Sequence, residues 1–333
     1  MSYQKNGLIQ VTDYNSLLGP ANSTAANTIN AIWGDGSGSY GLGQLPLSQI
    51  ATTGVNKVLP AQWNSLINTM NALKNHQGST IVPISLNAQG DLIVASMTTG
   101  TTPQSQFVAN MTTINNNRLN TAAQGATLSA STTRGTTWTN ALTFTHTITF
   151  ANGDAARWFF NAGGQIAITF SHPAGNFVND MWNKLATACG TLYISSTTGS
   201  PIYVGGTPFM GVQKVGGSGT PVAIAQSQNK GYYGLTTTNQ EIFKQLASTG
   251  PSGYLSSFIS VSARTNGTQT TRADNGNIIT ITTVWDEIPN GGGTVKGTSS
   301  ANSNTTATIR FPSTTYLSPS WSQPGIIGSV SGS

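Results

Sequence analysis

The stretch from Leu142 to Phe150, LTFTHTITF, puts Leu142, Phe144, His146, Ile148 and Phe150 on one side and four threonines on the other. A period of two belongs to a strand with one face against a core, because successive side chains point to opposite faces of a sheet. The same reading covers RWFF (Arg157 to Phe160), QIAITF (Gln165 to Phe170), TLYIS (Thr191 to Ser195), YLSSFISVSAR (Tyr254 to Arg264), NIITITTVW (Asn277 to Trp285) and TTATIRF (Thr305 to Phe311). Turn formers part these runs: Asn152-Gly153, Gly163-Gly164, Asn266-Gly267, Asn275-Gly276 and Asn290 to Gly293. Many short strands with such turns predict an antiparallel β-sandwich over residues 125–322. One inserted helix is expected in FVNDMWNKLATACG, where Val178, Trp182, Leu185 and Cys189 share a stripe. The Gly/Ser/Pro-rich end, residues 323–333, reads as a flexible tail.

The first 95 residues carry a different period. In STAANTINAIW, Ala25, Ile29, Ile32 and Trp33 share a helical face, and Gly34 stops the helix. In PAQWNSLINTMNALKNHQG, Pro60 suits a first helical position. Trp63, Leu66, Ile67, Met70 and Leu73 then form an amphipathic stripe, and Gly78 closes the helix. Trp33, Trp63, Leu66, Ile67 and Met70 are the expected core of this helical pair. Residues 96–124 read as a hinge, MTTGTTPQ (Met97 to Gln104), with a short helix in which Phe107, Met111 and Ile114 share a face; the hinge would let the sandwich swing. The expected fold class is therefore α+β: a small N-terminal helical domain followed by an antiparallel sandwich with one inserted helix.

Composition narrows the function classes. Only 7% of residues are charged, where about 25% is usual. Thr, Ser, Asn and Gly replace the missing charges, which suits pleated surfaces and leaves little to keep copies of the chain apart. The net charge of +5 is scattered singly, with no basic stripe to track a phosphate backbone, so no nucleic-acid partner is expected. One cysteine, Cys189, excludes an internal disulfide. The opening MSYQKNGLIQ lacks the pattern of a signal peptide, and no apolar run is long enough to span a bilayer, so a soluble chain made in a cytoplasm is expected.

Within WGDGSGSYGLGQ (Trp33 to Gln44), Gly36, Gly38 and Gly41 spell G-x-G-x-x-G. A dinucleotide fingerprint needs a preceding strand, a following helix and an acidic residue about 20 positions on. This loop follows a helix and runs into LPLSQIATTGV, and no Asp or Glu occurs between Asp35 and Asp91. Gly34, Gly36, Gly38 and Gly41 are therefore read as a connection or docking loop, and no cofactor is expected. His76, His146 and His172 stand apart from partners at metal-ligand spacing, and His146 reads as a hydrogen-bonded core residue. Neither a nucleophile elbow nor an evident carboxylate pair is present, so no catalytic residue is expected. Trp138, Tyr232, Tyr233 and Trp321 are candidates for stacking on a glycan, with core or interface packing as the alternative.

Two stretches taken together resemble a known family. GLIQVTDYNSL, INAIWGDGSGSYGLGQ and AQWNSLINTMNALKNHQG form the first, and RWFFNAGGQIAITFS followed by MWNKLATACGTLYIS the second. They resemble virion structural proteins of tailed bacteriophages, notably cyanophages, of the fibre or whisker type. The likeness covers the first 90 residues well and residues 140 to 315 loosely, and departs at the glycine-rich stretch from Gly205 to Gly219. It implies a non-enzymatic, trimeric virion appendage at tail, collar or baseplate, docked to other virion proteins through its N-terminal part with the β domain outward. A host-glycan-binding module of a tail fibre is the alternative, and a polysaccharide depolymerase the third reading.

Overall fold

The computed structural model describes residues 10–21, 23, 27–52, 57–84, 86, 103–197, 199–222, 231–248, 254–269, 271–288 and 298–332. The chain begins with helices α1 (Val11–Leu18), α2 (Ile29–Trp33), α3 (Pro60–Gln77) and α4 (Pro103–Asn116). Then come β1 (Asn120–Thr121), β2 (Thr127–Arg134), β3 (Ala141–Thr149), α5 (Gly153–Asn161), β4 (Gln165–Ser171), α6 (Phe177–Cys189) and β5 (Thr191–Ile194). The remaining strands are β6 (Ile202–Val204), β7 (Thr207–Phe209), β8 (Val212–Val215), β9 (Gln240–Leu246), β10 (Phe258–Thr265), β11 (Ile278–Asp286), β12 (Ser303–Arg310) and β13 (Gly325–Gly332). The fold is α+β, with a helical N-terminal part and a β-rich remainder.

Two five-stranded sheets carry the β part, in the orders β13-β3-β11-β10-β9 and β2-β12-β4-β5-β8. All their pairings are antiparallel. A small third sheet, β1-β6-β7, contains one parallel pair, β1 with β6. The two large sheets face each other through their apolar sides: Phe170 of β4 stacks on Phe243 of β9 at 6.4 Å. Trp285 of β11 packs against Trp182 of α6 at 5.6 Å and His172, just past β4, at 6.2 Å. In β3 the alternation holds as expected, with Leu142, Phe144, His146 and Ile148 fully buried.

In the helical part, Pro60 opens α3, and Gly78 ends it in the left-handed conformation, at φ 65° and ψ 24°. Trp63, Leu66, Ile67 and Met70 are buried as expected, but Trp33 is half-buried and uses its Nε1 to donate to the Leu45 carbonyl at 3.1 Å. The aromatic partner of Trp63 is Phe107 of α4, at 6.2 Å. Phe107, Met111 and Ile114 are fully buried, so α4 belongs to the core. Residues 97–102 of the expected hinge, Ala25 and the turn at 290–293 lie outside the described residues.

Two expectations are overturned. RWFF is helical, within α5, because Asn152 caps that helix: its side chain accepts from the Ala155 N–H at 2.8 Å. Asn152-Gly153 thus serves as a helix start, and among the described residues the sandwich carries two inserted α-helices. Nor are residues 325–332 a flexible tail. They form β13, which pairs with β3 from Gly325↔Thr149 to Gly332↔Leu142. Its Gly/Ser-rich composition hid this strand, which adds backbone bonds to an edge that would otherwise lie open and packs Ile326 and Val330 against the core.

Candidate functional site

The glycine loop folds back on α2. Leu42, Gly43 and Gln44 donate their backbone N–H groups to the carbonyls of Ile32, Gly34 and Trp33, each at 2.9 Å. Gly41 sits at φ 90°, and a Cβ there would strike the Asp35 carbonyl. Gly43, at φ 66°, lies under the Trp158 indole, where any side chain would collide with the ring. Such positions accept glycine because it reaches positive φ without penalty and leaves room for a close neighbour.

Helix α5 grips this loop. Arg157 and Asn161, one turn apart, face it together. Arg157 donates from Nη1 to the Tyr40 carbonyl and from Nη2 to the Asp35 carbonyl, both at 2.8 Å. The guanidinium also pairs with Asp154 at 2.8 Å, and the Arg157 side chain is 1% exposed. The Asn161 amide nitrogen lies 3.0 Å from the Gly38 and Tyr40 carbonyls and 3.1 Å from that of Gly41. Trp158 Nε1 adds a bond to the Asp35 carbonyl at 3.1 Å. The Tyr233 hydroxyl lies 2.6 Å from the Gly38 carbonyl and 2.7 Å from Asn161 Oδ1, so its single proton serves one acceptor at a time. Burial pushes the Tyr233 phenol up and keeps it neutral, against a smaller opposing pull from Arg157.

The polarity of this contact runs opposite to that of a phosphate cradle. A phosphate-cradling loop turns backbone N–H groups outward to an anion. Here the loop presents carbonyl oxygens to side-chain donors, while the N–H groups of Tyr40, Leu42, Gly43 and Gln44 bond to carbonyls of the loop and α2. Gln44 extends the latch on the other side: its amide donates to the Ser318 carbonyl at 2.8 Å and accepts from the Ser318 N–H at 2.7 Å. The helical part is therefore seated on the sandwich at residues 33–44, and the swing expected of it gives way to a fixed contact.

Most of the other candidate residues sit inside the fold. Gly34 ends α2, and Gly36 and Gly41 are buried in the latch. Trp138, Tyr232 and Trp321 are each 1% exposed or less, so their rings pack internally and offer no face to a sugar. Trp138 lies 5.1 Å from Trp182 and donates to Ser303 Oγ at 2.8 Å, and Tyr232 stacks on Phe160 at 4.3 Å. Tyr233 is half-buried, with its hydroxyl held as above.

The histidines are core residues. His146 Nε2 lies 3.2 Å from Thr132 Oγ1, and His172 bridges Ser303 at 2.9 Å and Asn179 at 3.1 Å. Burial lowers all three imidazoles, His76 to about 4. Cys189 is fully buried, and burial pushes its thiol up to about 12, against a smaller pull from Lys214. A thiol held neutral this way is a poor nucleophile. Among the described residues no three His, Cys, Asp or Glu side chains converge as a metal site, and no helix is long and apolar enough to cross a membrane.

No family model, curated protein or solved structure matches this chain. The latch residues Arg157, Trp158, Asn161 and Tyr233 escape any sequence reading that takes RWFF as a strand. Asn152 followed by Asp154 is the signal that could find them, an N-cap residue with a carboxylate in the first helical turn.

Proposed function

We propose that this chain is a non-enzymatic structural subunit of a bacteriophage virion appendage, of fibre or whisker type at the tail, collar or baseplate. The carrying observation is that the two stretches that resemble phage structural proteins meet as the two halves of one latch. INAIWGDGSGSYGLGQ supplies the carbonyls of Asp35, Gly38, Tyr40 and Gly41, and RWFFNAGGQ supplies Arg157, Trp158 and Asn161. Residues that make the likeness recognisable thus have a mechanical task, the rigid joining of helical part to sandwich. In this reading the helical part docks on the particle and the sandwich projects outward.

The surfaces favour assembly through neutral contacts. On one outer sheet face Ser129 meets Thr308 at 2.8 Å, and Asn304 donates to Ser131 and Thr133, each at 2.7 Å. On the other, Thr145 stands opposite Thr282 and Ser329, and Thr147 opposite Thr280. Leu45, Phe177 and Ile327 are 87%, 66% and 71% exposed, which suits burial between copies of the chain in a homotrimer or against other virion proteins. The chain is then a component of the virion, assembled from subunits made in the host cytoplasm.

The test is mass spectrometry of purified particles of the phage that encodes the chain, with placement of this fold in a density map of the particle. Stoichiometric presence in an appendage is expected. Absence from purified particles would overturn the reading.

A further inference from the structure

A cleft of about 460 Å³ lies beside the latch. Its lining comes from Trp33 at the end of α2, Gln44 of the glycine loop, Asn68, Asn71 and Asn75 along α3, and the segment 314–318 with Tyr316. The volume falls within the usual range for small-molecule sites. Among the described residues, no Lys, Arg, Asp or Glu lines it.

Three features point to a ligand. Asn68, Asn71 and Asn75 recur at i, i+3 and i+7, the solvent side of a helix whose other face is the apolar core stripe. Asparagine weakens a helix interior, and these amides make no side-chain hydrogen bond among the described residues that would offset the loss. Next, two aromatic side chains stand at the cleft with apolar surface to offer: Trp33, half-buried, and Tyr316, 40% exposed. Finally, the wall opposite α3 is held in place. Gln44 brackets Ser318 with two hydrogen bonds, Ser320 Oγ donates to the Leu42 carbonyl at 3.0 Å, and Leu317 is buried. A wall held rigid before binding lowers the ordering penalty of association.

We propose that this cleft binds a neutral saccharide. A pyranose ring has an apolar C–H face that packs on an aromatic ring, and a rim of hydroxyls that both donate and accept. Side-chain amides match that rim because each carries donors and an acceptor. An anionic ligand would call for a cation, and no Lys or Arg among the described residues lines the cleft. The proposal does not rest on the virion reading, and its failure would leave that reading as it stands.

The test is ligand-observed NMR on the full-length protein. Neutral trisaccharides of glucose, galactose, mannose and N-acetylglucosamine are titrated, with trigalacturonate as the anionic comparison. Saturable binding of at least one neutral trisaccharide is expected, with a Kd on the order of 1 mM. Asn71→Ala and Tyr316→Ala should each weaken it about tenfold or more. Asn71→Ala should not lower the melting temperature, since alanine is the better helix former, so a loss of binding there reports the amide and not the fold. The proposal is overturned if no neutral trisaccharide binds at about 10 mM, if binding is unchanged in both variants, or if trigalacturonate binds more tightly than every neutral sugar.

Discussion

Arg157 Nη1 donates to the carbonyl oxygen of Tyr40 at 2.8 Å, joining positions 117 residues apart in the chain. The same guanidinium bonds to the Asp35 carbonyl and to Asp154, so one side chain ties α5 to both ends of the glycine loop. Arg157→Met would leave two carbonyls and a carboxylate without this donor. The expected loss of stability is about 3 kcal/mol, read from denaturant unfolding. Arg157→Lys should recover little, because an ammonium on a flexible stem cannot span the fork. A loss below about 0.5 kcal/mol in the Met variant would mean that other contacts hold the loop.

Gly43→Ala tests the seat of the loop against Trp158. The new Cβ would meet the indole and would also sit at φ 66°. Overpacking together with an unfavourable backbone conformation should cost about 2–4 kcal/mol. Adding Trp158→Ala should recover the part due to the collision. A double mutant as unstable as the sum of the two singles would show that the ring and the glycine are not coupled.

Acid should destabilise the fold through its buried histidines. His76 is buried and its imidazole is lowered to about 4, and burial lowers His146 and His172 as well. Each folded-state value lies below the unfolded one, so the unfolded chain binds more protons as pH falls. Stability is full above the ordinary histidine value near pH 6.5 and declines below it. For His76 the decline continues to about pH 4, and its share is about 3 kcal/mol. His76→Leu should flatten the stability profile between pH 6.5 and 4. A variant with the wild-type slope would refute the assignment to His76.

Deleting residues 325–333 removes β13 and bares the edge of β3 along its full pairing, from Thr149 to Leu142. Open strand edges recruit other chains. The truncated protein should melt earlier and sediment as larger species. Unchanged melting and sedimentation would show that β13 adds nothing to the sheet.

The alternation in LTFTHTITF, QIAITF and NIITITTVW is legible because a half-buried strand writes its burial directly into a period of two. The α3 core is legible for a similar reason, a stripe repeated over successive turns between Pro60 and Gly78. RWFF is not. Four residues are too few to separate a period of two from 3.6, and the cap at Asn152 that decides between them acts through its neighbours' backbone. The strand β13 is invisible in the sequence because glycine and serine carry no burial pattern, while its partner β3 supplies the backbone groups that hold it.

Taken alone, the sequence determined the α+β class and the inward faces of the main strands. It also determined that G-x-G-x-x-G here lacks the following helix and acidic residue that a nucleotide needs. Those properties are local, written in spacing and residue type along short stretches of chain. The tertiary structure alone decided what the glycines do, because Arg157, Asn161 and Tyr233 come from α5 and the turn beyond β8 to meet carbonyls that any sequence could supply. It likewise decided that Trp138, Tyr232 and Trp321 are interior, and that the cleft lies between α3 and the segment 314–318. Backbone acceptors carry no side-chain signature, so contacts made to them exist only once the chain has brought distant segments together.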